Sequence, residues 1–235
     1  MSVLAKLKEI LFPEGFSCAV CGREIREGKH ICYDCKITLP YNDKQRCVKC
    51  GRAIDSFSKL CLLCKGNEIL FDRAYAPFRY EEPVDLLVQR FKYGGERHLA
   101  TVFAEYLVGE FLQAGIACDI ITFVPMTARS QKARGYNQSE ELARELAKRL
   151  SLPCEGVLCK VRETERQATL GFDARSENLQ GAIVCEGEVK GKHVLLIDDV
   201  LTTGATASVC AAALKRKKAA KVSVLTVAST VRRVQ

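Results

Sequence analysis

Apolar positions along this 235-residue chain follow three successive patterns. Over residues 1–14, Val3, Leu4, Leu7 and Leu11 recur at helical spacing until Pro13 stops the run. This predicts a short helix packed on its own domain, since it has few basic residues for a partner or membrane surface. From Cys18 to Cys64 apolar residues are sparse. After Lys65-Gly66-Asn67, helical periods alternate with short continuous apolar runs, the habit of a mostly parallel sheet flanked by helices. A domain boundary is therefore expected between 1–67 and 68–235.

In the larger part, Ala74 to Tyr80 reads as a strand, an edge strand because of Pro77. Pro83 opens a helix with Val84, Leu87, Val88 and Phe91 on one face, closed by Gly94-Gly95. A second amphipathic helix is expected from Leu99 to Ala114, and Asp119 to Val124 is a buried strand. Ala128 to Gly135 reads as a charged, mobile loop, and Ser139 to Leu150 as a strong helix. Strands are expected at 157–161, 182–185 and 222–228, with a long polar loop from Arg162 to Gln180. The run Val194-Leu195-Leu196-Ile197 is apolar throughout, as in a strand buried on both faces.

That run ends in Asp198-Asp199, then Val200-Leu201-Thr202-Thr203-Gly204-Ala205-Thr206, then an alanine-rich helix to Lys217. Open α/β sheets bind ligands at the carboxyl ends of their strands. A turn of small residues opening a helix offers free backbone N–H groups beside the positive end of the helix dipole, which suits a phosphate. The two carboxylates would repel that phosphate and suit sugar hydroxyls or a cationic transition state. A sugar phosphate satisfies both. The stretch resembles the phosphoribosyl-pyrophosphate (PRPP) loop of type I phosphoribosyltransferases. That resemblance implies Thr202, Thr203, Gly204, Ala205 and Thr206 on the 5′-phosphate, and Asp198 and Asp199 on the ribose.

The cysteines carry different chemistry. Cys18-x-x-Cys21 leads to Cys32-x-x-Cys35, and Cys47-x-x-Cys50 leads to Cys61-x-x-Cys64, two units that align without a gap. Two Cys-x-x-Cys turns complete a closed, structural Cys₄ site, so about two zinc ions per chain are expected. Disulfides would need an oxidising compartment, and the same spacing also serves iron–sulfur ligation, though paired turns favour zinc. Gapless units favour one ion per unit over a cross-brace of alternate turns. His30 is redundant in such a set and reads as a surface residue. Cys118, Cys154, Cys159, Cys185 and Cys210 lack paired spacing and read as small core residues.

The formal charge of +8 counts every cysteine as neutral. Subtracting eight thiolate charges and adding two Zn²⁺ ions leaves +4, a weak argument for nucleic acid. No stretch approaches the ~18 apolar residues of a membrane span, and residues 1–14 do not form a secretory signal, so a cytoplasmic location is expected.

A narrower resemblance covers essentially the whole chain. Arg134-Gly135-Tyr136-Asn137-Gln138-Ser139 is similar to the Arg-Gly-Phe-Asn-Gln signature of the ComF/GntX family, with tyrosine for phenylalanine. Lys92-Tyr93-Gly94 and the series Gln167, Leu170, Arg175, Asn178 match that family too. The resemblance implies a double zinc ribbon over 1–67 and a type I phosphoribosyltransferase domain over 68–235. It implies a pyrophosphate loop containing Pro125, Met126, Thr127, Arg129, Gly135, Asn137 and Gln138, with Arg134 as a catalytic cation. A hood carrying Gln167, Arg175 and Asn178 and a Mg²⁺ ion arriving with PRPP are also implied. Expected partners are PRPP, a nucleobase acceptor, and single-stranded DNA or a protein of the competence machinery. Two functions stay open: a phosphoribosyltransferase, or a non-catalytic PRPP sensor or docking module in natural transformation.

Overall fold

The structure is a computed structural model that describes residues 17–25, 29–54, 58–162 and 181–230. The expected helix over residues 1–14 lies outside them. In chain order the elements are α1 (Tyr33–Ile37), α2 (Leu62–Gly66), β1 (Arg73–Tyr75), β2 (Phe78–Arg79), α3 (Val84–Tyr93) and α4 (Leu99–Gln113). Then follow β3 (Ile120–Phe123), α5 (Ala128–Arg134), α6 (Gln138–Leu150), β4 (Leu158–Lys160) and β5 (Ile183–Cys185). β6 (His193–Leu201), α7 (Ala205–Arg216) and β7 (Lys221–Ser229) complete the chain.

Five strands make one parallel sheet. β1 and β2 both pair β7, β7 pairs β6, and β6 pairs β3. The expected strand over Ala74–Tyr80 is thus an edge broken around Pro77, which has no N–H to donate. The apolar run of β6 is buried on both faces, and its alternate residues serve different cores. Leu195 and Ile197 join a core with α3, α4 and α6, while Val194 and Leu196 join one with α7, β4 and β5. Truncating any of these leucines to alanine should cost about 2–5 kcal/mol. Among the described residues, β4 and β5 pair only each other, antiparallel, as a separate ribbon.

One expected loop is a helix. Ala128–Arg134 forms α5 because Thr127 caps it, its Oγ1 accepting from the Ser130 N–H at 3.2 Å. Alanine, arginine, glutamine and lysine are good helix formers, and Gly135 ends the turn at φ +90°. Charge alone had suggested a loop, but capping decides it.

The cysteine units pack against the two cores separately. Cys18, Ile31, Cys32 and Leu39 belong to the α3–α4–α6 core, whereas Cys47, Cys50, Cys61 and Leu63 belong to the α7 core.

Candidate functional site

β6 is longer than its neighbour on one side. Its pairing with β3 ends at Phe123–Ile197, while its pairing with β7 continues to Leu201–Ser229. Asp198 and Asp199 therefore stand inside the strand, beside the gap where β3 has ended, rather than beyond the strand's last residue. β7 supplies the ladder that lets β6 run on.

Each carboxylate is held differently. Asp198 Oδ1 accepts from Ser139 Oγ at 2.8 Å and from the Asp199 N–H at 2.9 Å. Burial, with the neighbouring Asp199 charge added, pushes its pKa up to about 7. Asp199 Oδ1 lies 2.8 Å from Lys92 Nζ, at the end of α3. Burial pulls the Lys92 ammonium down, but the Asp199 and Asp198 carboxylates outweigh it and hold the group above its ordinary pKa. Asp198 is thus poised between its two forms near neutral pH, and Asp199 already faces a cation. Lys92 escaped the list of expected site residues. Its signal was present in Lys92-Tyr93-Gly94, but nothing local connects that helix end with a strand a hundred residues later.

Thr202-Thr203-Gly204 turns the chain from β6 into α7. Gly204 has φ +85°, a conformation that strains any side chain, and buried Phe71 lies beneath it, 3.5 Å from where a Cβ would stand. Thr203 Oγ1 accepts from the Ala205 N–H at 3.4 Å, and Thr206 sits in the first turn of α7. The Thr202 carbonyl accepts from Thr230 Oγ1 at 3.2 Å and from Arg52 Nη2 at 2.5 Å. Arg52 comes from the second cysteine unit and is buried.

The segment between β3 and α6 brings several expected residues to the same end of the sheet. Pro125 and Thr127 are buried, Met126 is half-buried, and Arg129 is exposed on α5. Arg134 Nη1 donates to Gln138 Oε1 at 2.7 Å, and its guanidinium lies 5.1 Å from the centre of the Tyr93 ring. Asn137 caps α6 through the Ser139 N–H at 3.1 Å and donates to the Val124 carbonyl at 3.0 Å. Gln138 Nε2 reaches the Lys92 carbonyl at 3.5 Å, and the Tyr136 hydroxyl donates to the Phe91 carbonyl. The Arg134–Ser139 signature is therefore a set of lashings. It ties the end of α3, the end of β3 and Asp198 into one unit, with the Asn137 and Gln138 side chains engaged inside the protein. Gln167, Arg175 and Asn178 lie outside the described residues.

The eight cysteines gather as two sets of four, Cys18, Cys21, Cys32 and Cys35, then Cys47, Cys50, Cys61 and Cys64. Within each set all sulfurs lie within 4.8 Å of one another, which is the sequential pairing and not the cross-brace. Sγ–Sγ distances of 3.8 Å (Cys21–Cys32) and 3.6 Å (Cys50–Cys61) match the edge of a tetrahedron with Zn–S bonds of about 2.3 Å. The Cys32 and Cys61 N–H groups point at Cys18 Sγ (3.3 Å) and Cys47 Sγ (3.4 Å), as amides do at thiolates. Both sets fit structural zinc. His30 stands apart, 3.5 Å from Glu105 and half-buried. Of the unpaired cysteines, Cys185 and Cys210 are buried as expected, whereas Cys118, Cys154 and Cys159 are only partly covered. No described helix is long and apolar enough to cross a membrane.

Comparison with known proteins agrees with this geometry. The profile of the phosphoribosyl transferase domain matches residues 136–233, and that of the double zinc ribbon domain matches residues 7–66. Over 213 residues the chain is 31% identical to the DNA utilization protein YhgH of Salmonella typhimurium, covering 88% of this chain and 87% of that protein. It is 28% identical over 204 residues to the competence protein F of Haemophilus influenzae, covering 81% and 87%. Against the competence protein ComFC of Bacillus subtilis it is 25% identical over 215 residues, covering 86% and 85%.

Proposed function

The chain belongs to the ComF/GntX family, which joins a double zinc ribbon to a type I phosphoribosyltransferase domain, and on that premise we propose that it binds PRPP and transfers or releases its phosphoribosyl group. The observation that carries the proposal is the end of β6. Two adjacent carboxylates beside an open edge are followed at once by a small-residue turn into the N-terminus of α7.

In this scheme the N–H groups and hydroxyls of Thr202 to Thr206 grip the 5′-phosphate. Asp198 and Asp199 accept the ribose hydroxyls and favour the positive charge that builds at C1 as pyrophosphate leaves. Arg134 and Arg129 face the pyrophosphate, and Lys92 turns from Asp199 toward it as the sugar enters. The lashings of Asn137 and Gln138 keep these groups in register. Mg²⁺ accompanies the pyrophosphate, held mainly by its oxygens and by water. Gln167, Arg175 and Asn178 are assigned to a hood that excludes water. A nucleobase is the acceptor class. Two sets of reduced cysteines suit the reducing cytoplasm. The names of the relatives suggest a role in DNA utilization or competence, with single-stranded DNA or a protein of that machinery as partner. A second reading, a PRPP sensor without turnover, is favoured by one observation, the Lys92 ammonium that already neutralises Asp199.

The test is calorimetric PRPP binding beside pyrophosphate release with Mg²⁺ and a panel of nucleobases, for wild type and Asp199→Asn. If the charge acts in the transition state, the variant binds PRPP to within about tenfold of wild type. Its turnover falls about a hundredfold or more, roughly 2.7 kcal/mol in the barrier. Binding by wild type without release from any acceptor selects the sensor. A wild type that does not bind PRPP ends both readings.

A further inference from the structure

Arg52 is out of character for a zinc ribbon. An arginine just after a Cys-x-x-Cys-Gly turn belongs on the surface, yet this one is 3% exposed. Its Nε donates to Cys50 Sγ at 3.2 Å, and its Nη2 donates to the Thr202 carbonyl at 2.5 Å, 150 residues away in sequence. One rigid guanidinium thus joins a ligand atom of the second Cys₄ set to the turn between β6 and α7. A metal-bound thiolate accepts such a hydrogen bond well, and the bond orients the donor in return. A guanidinium keeps its charge wherever it is placed, so burying it without partners is costly; Cys50 and Thr202 provide them.

The surroundings make this strut stiff. A Cβ at Gly51 would stand 2.3 Å from the Ala74 carbonyl oxygen, so the ribbon lies directly on β1. The Ala74 N–H donates to the Lys49 carbonyl at 2.8 Å, and Asn42 Nδ2 reaches both the Gly51 carbonyl (2.8 Å) and the Ala76 carbonyl (3.0 Å). From there the chain passes buried Phe71 beneath Gly204.

We propose that Arg52 is a positioning residue through which the second zinc site, and not the first, sets the conformation of the phosphate-binding turn. The carbonyl of Thr202 must face away from the anion for the following N–H groups to face it. Arg52 and Thr230 hold that carbonyl. The second ribbon is then part of the sugar-phosphate site, and loss of its metal releases the turn. The part concerning ligand presupposes that the turn holds the 5′-phosphate of PRPP, whereas the part concerning conformation does not.

The test uses Arg52→Gln and Arg52→Lys, with Arg23→Gln, the equivalent change in the first ribbon, as control. All are kept as full-length protein with zinc content measured. Hydrogen exchange of residues 201–206 is followed without ligand, and binding of ribose 5-phosphate and of pyrophosphate is measured separately. Both Arg52 variants should retain two zinc ions and exchange faster across the turn, while Arg23→Gln matches wild type. Ribose 5-phosphate affinity should fall about tenfold or more in Arg52→Gln, with pyrophosphate affinity unchanged, a split that general loosening of the fold would not produce. Arg52→Lys keeps the charge but cannot reach both partners, so it should recover only part of the loss. Unchanged exchange in Arg52→Gln overturns the proposal, as does an equal loss of both ligands. Faster exchange in a protein whose wild type binds no ribose 5-phosphate supports the strut and instead refutes the PRPP reading.

Discussion

Arg23 and Arg52 occupy the same place in two 18-residue cysteine units that align without a gap, yet they live in different worlds. Arg23 reaches along its own ribbon to Asp34 at 2.6 Å, with both side chains 66% exposed. Arg52 is buried and reaches Thr202 in the turn after β6. The glycines before them differ likewise. A side chain at Gly22 would meet nothing within 4 Å, whereas one at Gly51 would collide with β1. The first ribbon meets the rest of the chain through apolar packing of Cys18, Ile31 and Cys32 on the α3–α4–α6 core, through the Arg90 guanidinium, which donates to the Ala19 carbonyl at 2.6 Å, and through His30 beside Glu105. The second is built into the edge of the sheet. A repeat of identical spacing can therefore carry one unit whose arginine stays on its own ribbon and another whose arginine reaches the turn after β6. Ligand geometry alone does not distinguish them, because what differs is the surface each unit is pressed against.

The sharpest way to break this comparison is at the glycines. Gly51→Ala should destabilise by about 3 kcal/mol or more, since backbone must move, while Gly22→Ala should cost about 1 kcal/mol for its positive φ alone. Urea denaturation of both variants measures the difference, and equal costs would mean that the second ribbon is not pressed on β1. The ion pairs come next. Glu110 on α4 is buried and pairs with Arg46 of the second ribbon, so Glu110→Ala should cost on the order of 2 kcal/mol. Asp34→Ala removes the exposed partner of Arg23 and should leave the midpoint where it was.

A further effect depends on pH and acts at Asp198, inside β6. The folded state keeps the Asp198 proton up to a pKa of about 7, against 3.8 for the free group, so it binds more protons than the unfolded chain between those values. Its contribution is complete below about pH 4 and is lost as pH rises toward 7. Asp198→Asn removes that loss. The variant's advantage should grow from pH 4 to 7, level off above, and reach on the order of 4 kcal/mol at pH 8. Denaturation at several pH values checks it, and an advantage independent of pH refutes it. Least in size is the order of metal release. Cys21 is exposed and Cys35 only partly covered, whereas three of the four sulfurs of the second set are buried. A chelator should therefore withdraw zinc in two phases, the first about tenfold faster. Ribose 5-phosphate binding should survive the first phase and be lost with the second.

Local chemistry made much of this protein legible from its residues. A zinc ribbon is specified by four cysteines at short spacing, and a phosphate turn by a buried strand, two acids, small residues and a helix start. Each signal lies within about twenty residues; in the structure the cysteines gather as two Cys₄ sets, and a short turn leads from β6 into α7. The parallel sheet was legible for a related reason: Val194 to Ile197 must be apolar on both faces, whatever packs on them. Even the error at α5 was local, a Thr127 cap outweighed in the reading by the charge of the residues after it. Contacts between distant segments were not legible. Lys92 beside Asp199, Ser139 beside Asp198 and Arg52 beside Thr202 join residues 107, 59 and 150 positions apart. Arg23 and Arg52 follow the same Cys-Gly turn, so their sequences predict the same exposed arginine twice. The tertiary structure separates them, because burial of a charged side chain depends on whether partners arrive from elsewhere in the chain, and only Arg52 meets Thr202.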